Sequence, residues 1–141
     1  MPITQAMCDS FKVQLLNGQQ NFSADTYKIA LYIGAATLSN ATPTYTTSGE
    51  VPTGGGYVAG GNTLSVSVVP TNTGNVAFMS FANSSWANAT ITAAGALIYN
   101  NTKANTAVAS LSFGGDKTST NGTFTVIFPT PDATSAIIRI A

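Results

Sequence analysis

The sequence contains no histidine and very little charge. Five lysine and arginine residues balance five aspartate and glutamate residues, and charged residues make up 7% of the chain, against an average of about 25% in soluble domains. Without histidine, a Ser-His-Asp triad, a Cys-His pair and a histidine-built metal site are excluded. Nucleic-acid binding and attraction to an anionic membrane both need clustered positive charge, so neither partner is expected. An exterior with so little charge favours association with other copies or with a partner.

Cysteine and long apolar runs are equally scarce. Cys8 is the only cysteine, so no disulfide can form within the chain. Its position beside the apolar residues of the predicted N-terminal helix indicates a small buried side chain rather than a reactive thiol. The first residues lack a basic region followed by an apolar run, and no run approaches the ~20 residues that span a bilayer. We therefore expect a protein made and assembled in a cytoplasm.

What the sequence does contain is the pattern of one β-rich domain, residues 1–141. From Tyr27 onward, short runs rich in β-branched and aromatic residues alternate with polar residues and are separated by Gly, Asn and Pro. This pattern predicts a mainly β fold, an antiparallel sandwich or jelly roll of about eight strands, with a small barrel also compatible. The predicted strands are residues 27–33, 64–68, 75–81, 89–92, 96–99, 107–113, 123–128 and 136–140.

Two signals mark the breaks between these strands. The Thr-Asn-Gly segment at 120–122 predicts a hairpin turn, because Asn and Gly tolerate positive φ. Pro129 and Pro131 separate the last two strands, because proline cannot donate a hydrogen bond to a sheet.

A single short amphipathic helix is predicted at residues 4–17. Met7, Phe11 and Leu15 recur every four residues, and Cys8 and Leu16 widen the same apolar stripe. Thr4 is a candidate cap for the first turn, and Gly18 follows where the helix should end. We expect the apolar stripe to lie across a sheet.

The segment from residue 38 to 62 has a different character, because it is rich in Gly and Thr and has little periodicity. Its GGGYVAGG run at 54–61 partly matches a phosphate-binding loop, but a strand rather than a helix follows it, which argues against nucleotide binding. We interpret the segment as a flexible loop or arm whose glycines permit close approach to a neighbour. The domain is expected to fold without residues 53–61.

The carboxylates are the remaining candidates for chemistry, and the sequence does not bring any two of them together. A glycosidase needs two carboxylates that face one another. Asp25, Asp116 and Asp132 lie in turn-like contexts, where Asp usually bonds its own backbone, and no spacing matches a calcium loop. We predict no catalytic residue, metal, cofactor or small-molecule substrate, with an enzyme that uses two acids as an alternative. The five acids are Asp9, Asp25, Glu50, Asp116 and Asp132.

Trp86 and Tyr45 are the aromatic residues that could stack on a sugar or base ring. A single Trp beside strands is more often core or sheet-edge filler. Tyr45, which lies among threonines in the loop, is the better candidate for a contact with a neighbour.

Several segments together resemble small virion structural proteins of tailed bacteriophages, over nearly the whole chain. The resemblance is carried by the junction LLNG…DTYKIALY, the segment GYVAGG and the block WANATITAAGALIY. It implies a particle component without catalysis, either a capsid cement (decoration) protein or a tail protein. It transfers no catalytic residue.

Three functions remain open. The leading one is a cement protein of the virion, assembled in the host bacterial cytoplasm, whose partners are the major capsid protein and further copies of itself in a homodimer or homotrimer. The second is a tail or fibre protein that contacts other tail components or host glycans. The third is a wall hydrolase.

The predicted contacts with neighbours lie in the N-terminal residues 2–4 and in the loop of residues 42–61, since both lack charge and periodicity. The predicted contact residues are Pro2, Thr4, Tyr45, Gly54, Gly55, Gly56, Tyr57, Gly60 and Gly61.

Overall fold

The computed structural model describes residues 3–141, which form two antiparallel sheets and one short helix. The predicted mainly β, sandwich-like fold with a short N-terminal helix is therefore confirmed. The larger sheet has the strand order β1-β7-β6-β2-β3, and the smaller sheet has the order β4-β5-β8. In chain order, the elements are β1 (Ala6–Met7), α1 (Asp9–Leu16), β2 (Tyr27–Tyr32), β3 (Asn62–Thr63), β4 (Val66–Thr73), β5 (Val76–Phe81), β6 (Ser84–Asn100), β7 (Thr106–Val126) and β8 (Ile138–Ile140).

A long hairpin of β6 and β7 forms the middle of the larger sheet. The sequence predicted four short strands here, but the structure has two strands of 17 and 21 residues. The predicted turn at 120–122 is wrong, because the chain continues through these residues as part of β7. Asn121, with a positive φ of 45°, lies at an irregularity of β7, and Asn88, also with a positive φ, lies at an irregularity of the facing strand β6. A bulge absorbs an extra residue without reversing the chain, so a turn-like sequence can lie within a strand.

The helix is shorter than predicted, Asp9–Leu16 instead of residues 4–17. Thr4 does not cap it; the Thr4 backbone N–H donates to the carbonyl of Leu38, and Ala6–Met7 pair with β7. The outer edge of β7 offers backbone partners to the first residues, and this pairing prevails over helix propensity. Leu16 was expected in the apolar stripe and is 91% exposed, whereas Phe11 is fully buried. No helix within residues 3–141 is long and apolar enough to cross a membrane.

Cys8 lies at the helix start and is fully buried, as predicted. Burial, with a smaller contribution from the charge of Asp9, raises the pKa of the thiol to about 11. The thiol is therefore protonated at neutral pH, which makes it a poor nucleophile.

The core lies between the inner faces of the two sheets and is closed near α1 by aromatic side chains. Phe22 stacks on Tyr27 with ring centroids 4.7 Å apart, and Phe81 contacts both rings. Phe11 and Phe128 complete this group from the helix and from the segment after β7. Burying one large apolar side chain contributes about 1.5–3 kcal/mol, so this group is a major source of stability.

Gly95 in β6 provides a test of how tightly the first residues pack on the larger sheet. A Cβ at this position would lie 2.5 Å from the Leu111 carbonyl oxygen and 2.8 Å from two Ile3 side-chain carbons. We expect Gly95→Ala to lower the free energy of unfolding by about 1–3 kcal/mol, the usual cost of overpacking. Urea unfolding measures this change.

Gly122→Ala is the matched control, because a Cβ there meets only one atom, the Thr120 carbonyl oxygen at 3.6 Å. Equal stability losses for the two substitutions would contradict the proposed packing of Ile3 against β6.

Candidate functional site

Residues 49–61, which we call the strap, run along the outer edge of β2. The Ile33 N–H donates to the Gly49 carbonyl and the Val51 N–H donates to the Leu31 carbonyl, both at 2.9 Å. The Leu31 N–H donates to the phenol oxygen of Tyr57 at 3.0 Å, so a side chain takes the place of a backbone partner. Within the predicted loop or arm of residues 38–62, the strap is therefore hydrogen-bonded along β2 of its own domain.

Glu50 holds the strap together from within. Its Oε1 accepts hydrogen bonds from the Tyr57 hydroxyl at 2.7 Å and the Gly60 N–H at 2.6 Å. Its Oε2 accepts one from the Tyr45 hydroxyl at 2.5 Å. Glu50 is 9% exposed, and no Lys or Arg nitrogen of the described residues lies within 4 Å of its carboxylate. A buried carboxylate needs such donors to replace water.

Two further tyrosines extend this cluster around Glu50. The Tyr99 hydroxyl donates to the Gly60 carbonyl at 2.6 Å, and its ring stacks on Tyr45 with centroids 4.7 Å apart. The Tyr32 hydroxyl donates to the Thr46 carbonyl at 2.6 Å. Within residues 3–141, every buried side-chain nitrogen and oxygen has a hydrogen-bond partner.

The phenols of the cluster are poor acids. Burial raises the pKa of Tyr57 and of Tyr45, and their hydrogen bonds to Glu50 raise it further. Burial, followed by the charge of Glu50, raises the pKa of Tyr32, and the same two causes raise the pKa of Tyr99 to about 12. These phenols therefore remain protonated donors at neutral pH, suited to holding structure rather than to taking protons from a substrate.

The three glycines at the tip of the strap approach β6. The Thr90 N–H donates to the Gly55 carbonyl at 2.8 Å. A Cβ on Gly55 would lie 2.7 Å from the Thr90 carbonyl oxygen, and one on Gly56 would lie 2.9 Å from the Ala89 Cα. The glycine run thus permits close approach, as predicted, but to a strand of the same chain.

The predicted contact residues differ in their exposure. Pro2 lies outside the described residues. Thr4 and Gly54–Gly56 are exposed, whereas Tyr45, Gly60 and Gly61 are half-buried. Tyr57 is only 1% exposed, so its assignment to an interface with a neighbour is wrong: its side chain is part of the domain core. Removal of residues 53–61 would delete this core residue, so the expectation that the domain folds without them is not supported.

Trp86 is 5% exposed and packs against Tyr57 and Phe124, with ring centroids 6.0 and 6.2 Å away. The prediction of a core or sheet-edge role for this residue is confirmed. Its ring is not accessible for stacking on a sugar.

The other acids have separate local roles. Asp132 accepts hydrogen bonds from the backbone of Thr134 and Ser135, which confirms its turn role. Asp116 lies in β7, in the irregularity between Ser112 and Lys117, rather than in a turn between strands. Within residues 3–141, no group of three or more His, Cys, Asp or Glu side chains could hold a metal ion.

Asp25 belongs to a buried network at the β6–β7 turn. Its side chain is 5% exposed and accepts hydrogen bonds from Lys103 at 3.0 Å and from Asn100 at 2.8 Å. It also accepts one from the Asn21 backbone, as its predicted turn role requires. Burial by itself would raise the pKa of Asp25, but the hydrogen bonds from Asn100 and Lys103 outweigh it and hold the pKa below its usual value.

The cluster around Glu50 was not predicted from the sequence. One signal was present: Glu50 is the only glutamate in the chain and lies between Tyr45 and Tyr57 in a segment otherwise without charge. Tyr32 and Tyr99, however, reach the cluster through strand pairing that no local pattern reveals.

We expect the protein to lose stability in alkali because of this cluster. Each phenol has a higher pKa when folded than the value of about 10 it has when unfolded. The contribution of each phenol to the free energy of unfolding is therefore complete below about pH 10 and decreases above that pH. For Tyr99, the decrease extends to about pH 12. Absorbance titration of the phenols should show a delayed, cooperative ionisation that coincides with loss of far-ultraviolet circular dichroism. Ionisation of all five tyrosines near pH 10 with the fold intact would contradict the cluster.

The Tyr57 hydroxyl should contribute more to stability than the Tyr32 hydroxyl. Tyr57→Phe leaves the buried Leu31 N–H without a partner and removes a donor from Glu50, at an expected cost of about 1–3 kcal/mol. Tyr32→Phe affects only the half-buried Thr46 carbonyl, so about 0.5–1.5 kcal/mol is expected. Chemical denaturation of the two variants measures the difference, and a smaller loss for Tyr57→Phe would refute the role of Tyr57 in the β2 edge.

In comparisons with protein-family models, with curated proteins and with solved structures, none matches the chain.

Proposed function

We propose that this chain is a structural component of a tailed-bacteriophage virion, a capsid cement protein that stabilises the head by adhesion between capsid subunits. Its partners in this proposal are the major capsid protein and further copies of the chain, and its location is the virion. The observation that carries the proposal is an exterior on which large apolar side chains lie exposed among very few charges. The resemblance of its LLNG, GYVAGG and WANATITAAGALIY segments to small phage virion proteins gives the class of particle.

The exposed apolar side chains are distributed over several elements. Leu16 at the end of α1 is 91% exposed and Ile127 after β7 is 74% exposed. Within residues 3–141, the exposed large apolar residues are Val13, Leu16, Ile33, Val58, Val69, Ile127 and Ile140. Burial of such side chains against a partner is favourable at about 25 cal/mol per Å² of apolar surface.

The polar part of the exterior is built mostly from neutral groups. Cross-strand hydroxyl pairs, Ser85 with Thr125 and Thr92 with Thr118, both 3.0 Å apart, lie on the exposed face of the β6–β7 hairpin. Neutral hydroxyls cost less to remove from water than charged groups do. A surface of this kind supports a broad contact with a shell better than it supports steering of a charged ligand.

We expect the purified protein to bind empty capsids stoichiometrically, with little dependence on ionic strength. Adhesion through neutral surface should persist up to about 1 M salt, where the Debye length falls to about 3 Å. Co-sedimentation with capsids across a salt series measures this. Absence of binding to capsids, or binding that is lost as salt rises, would contradict the proposal.

Variants with a new charge locate the contact. Leu16→Lys and Ile127→Lys place an ammonium on two exposed apolar positions, and the one that lies in the contact should weaken capsid binding at least tenfold, since burying a charge is costly. Asn101→Lys, on the exposed turn between β6 and β7, is the control for added charge alone. Antibody labelling over the head of the particle supports a cement protein, whereas labelling of the tail would assign the chain to the tail instead.

A further inference from the structure

Three adjoining cavities form a groove along the β7 side of the larger sheet. The first, of about 400 Å³, lies between β1 and β8. The second, of about 140 Å³, shares Leu111 and Ile137 with the first. The third, of about 430 Å³, shares Phe113 and Ile127 with the second. We call these cavities together the β7 groove, because residues of β7 line all three.

The backbone of β7 is open along most of this groove. β1 pairs with β7 at Ala109 and Ser110, and in the described part of the chain no strand pairs with the outer edge of β7 from there to Val126. An unpaired edge presents N–H and C=O groups that another chain can bond. β7 also bends, since the rings of Phe113 and Phe124 lie 6.3 Å apart although the residues are 11 positions apart. One strand therefore encloses the third cavity from two sides.

The groove has a cation at each end. Arg139 lines the first cavity and Lys117 lines the third, and no Asp or Glu is among the described residues that line the three cavities. The Arg139 Nε donates to the Ala136 carbonyl at 3.3 Å, which holds the guanidinium at the wall of the first cavity. Lys12 and Lys103 each have a carboxylate partner, whereas Arg139 and Lys117 have no carboxylate oxygen of the described residues within 4 Å.

The middle of the groove is apolar. Leu111 and Val126 are buried at its base, and Phe113 and Ile137 are half-buried. Ile127 is 74% exposed beside them, so it offers apolar surface that no part of the described chain covers.

We propose that the β7 groove binds an extended segment of another protein, with an apolar middle and an acidic residue near each end. The middle of the segment packs on Phe113 and Ile127, its backbone bonds the open edge of β7, and its carboxylates pair with Arg139 and Lys117. Proteins recognise extended peptides in this way by adding them to a sheet edge. The proposal rests on the proposed function only for the source of the segment, which is then the major capsid protein.

The apolar contact and the ion pairs have different roles in this groove. Burial of apolar surface, at about 25 cal/mol per Å², supplies most of the affinity. Exposed ion pairs contribute little affinity, about 0–1 kcal/mol each, but they determine the register and the choice of partner. Binding through the groove therefore depends only modestly on ionic strength, as adhesion through a nearly neutral surface requires.

A second copy of the chain does not supply such a segment. Its closest acids in sequence, Asp9 with Asp25 and Asp116 with Asp132, are 16 positions apart. Sixteen extended residues span about 53 Å, whereas a domain of 141 residues is about 35–40 Å across. Nucleic acid fits no better, because two cations around an apolar middle cannot follow a phosphate backbone.

The test measures the binding of labelled synthetic peptides by fluorescence anisotropy. The peptides have the sequence Glu-(Val-Thr)n-Val-Glu with blocked ends, and n is varied because each extended residue adds about 3.3 Å. A matched series has Gln in place of Glu. We expect the best Glu-ended peptide to bind about two- to thirtyfold more tightly than its Gln-ended match, as two exposed ion pairs allow. This difference should disappear at about 1 M salt.

Two pairs of variants locate the binding. Ile127→Asp places a charge in the apolar middle and should weaken the binding of Glu-ended peptides at least about tenfold. Val69→Asp is its control, because Val69 on β4 is 63% exposed and lies outside the groove. The double variant Lys117→Gln, Arg139→Gln should lose the preference for Glu-ended peptides. Lys28→Gln on β2, which also removes a cation without a carboxylate partner within 4 Å, should retain it.

The groove is overturned if no Glu-ended peptide shows saturable binding, or if Ile127→Asp and Val69→Asp bind these peptides equally well. Co-sedimentation with empty capsids separates the groove from the proposed function. Capsids that bind wild type and Val69→Asp but not Ile127→Asp support the groove as the contact. Peptides that bind as expected support the groove even when capsids do not bind, and in that case only the proposed function fails. Capsids that bind wild type and Ile127→Asp equally, together with peptides that do not bind, overturn the groove and leave the proposed function intact.

Discussion

The antiparallel pairing of β6 with β7 is the contact on which the rest of the structure depends. β2 adds to one side of this hairpin through residues 95–100 of β6, and β1 adds to the other side at Ala109 and Ser110. The strap then lies along β2 and reaches Thr90 of β6. Every other strand of the larger sheet is positioned directly or indirectly by the hairpin. The bulges of the hairpin therefore also determine the orientation of its exposed hydroxyl pairs and the position of the glycines at the strap tip.

The cluster around Glu50 follows from that arrangement and from the scarcity of charge. An isolated buried carboxylate is costly unless several donors replace its water. In a chain with few cations, the donors are the Tyr45 hydroxyl from the loop before the strap, and the Tyr57 hydroxyl and the Gly60 N–H from the strap itself. The position of the strap is therefore restricted, because all of these bonds form only when the strap lies in one register against β2. A rigid edge cover of this kind also protects the β2 edge from pairing with other chains.

The sequence predicted the fold class, the approximate place of most strands, the burial of Cys8 and Trp86 and the turn role of Asp132, because these depend on local periodicity and residue type. It did not predict that strands 89–92 and 96–99 join, or that strands 107–113 and 123–128 join, because the irregularity between Ala93 and Gly95 and the one at Asn121 lie within strands instead of breaking them. It placed Thr4 in a helix and Tyr57 on the surface, because β-edge pairing and the partnership with Glu50 are long-range contacts. The Glu50 cluster combines residues separated by up to 67 positions in the chain, from Tyr32 to Tyr99, beyond the reach of any local pattern.

We propose that the protein acts by surface contact, because it combines a two-sheet domain with few charges, exposed apolar side chains and buried aromatic residues. A cryo-electron microscopy reconstruction of the phage particle that is proposed to carry this chain is the most direct test. The account predicts that density for the two-sheet domain lies on the outside of the head, in contact with more than one capsid subunit and with neutral, partly apolar surface in the contact. A reconstruction that shows the domain away from the head, or attached to it chiefly through its few charged side chains, would contradict it.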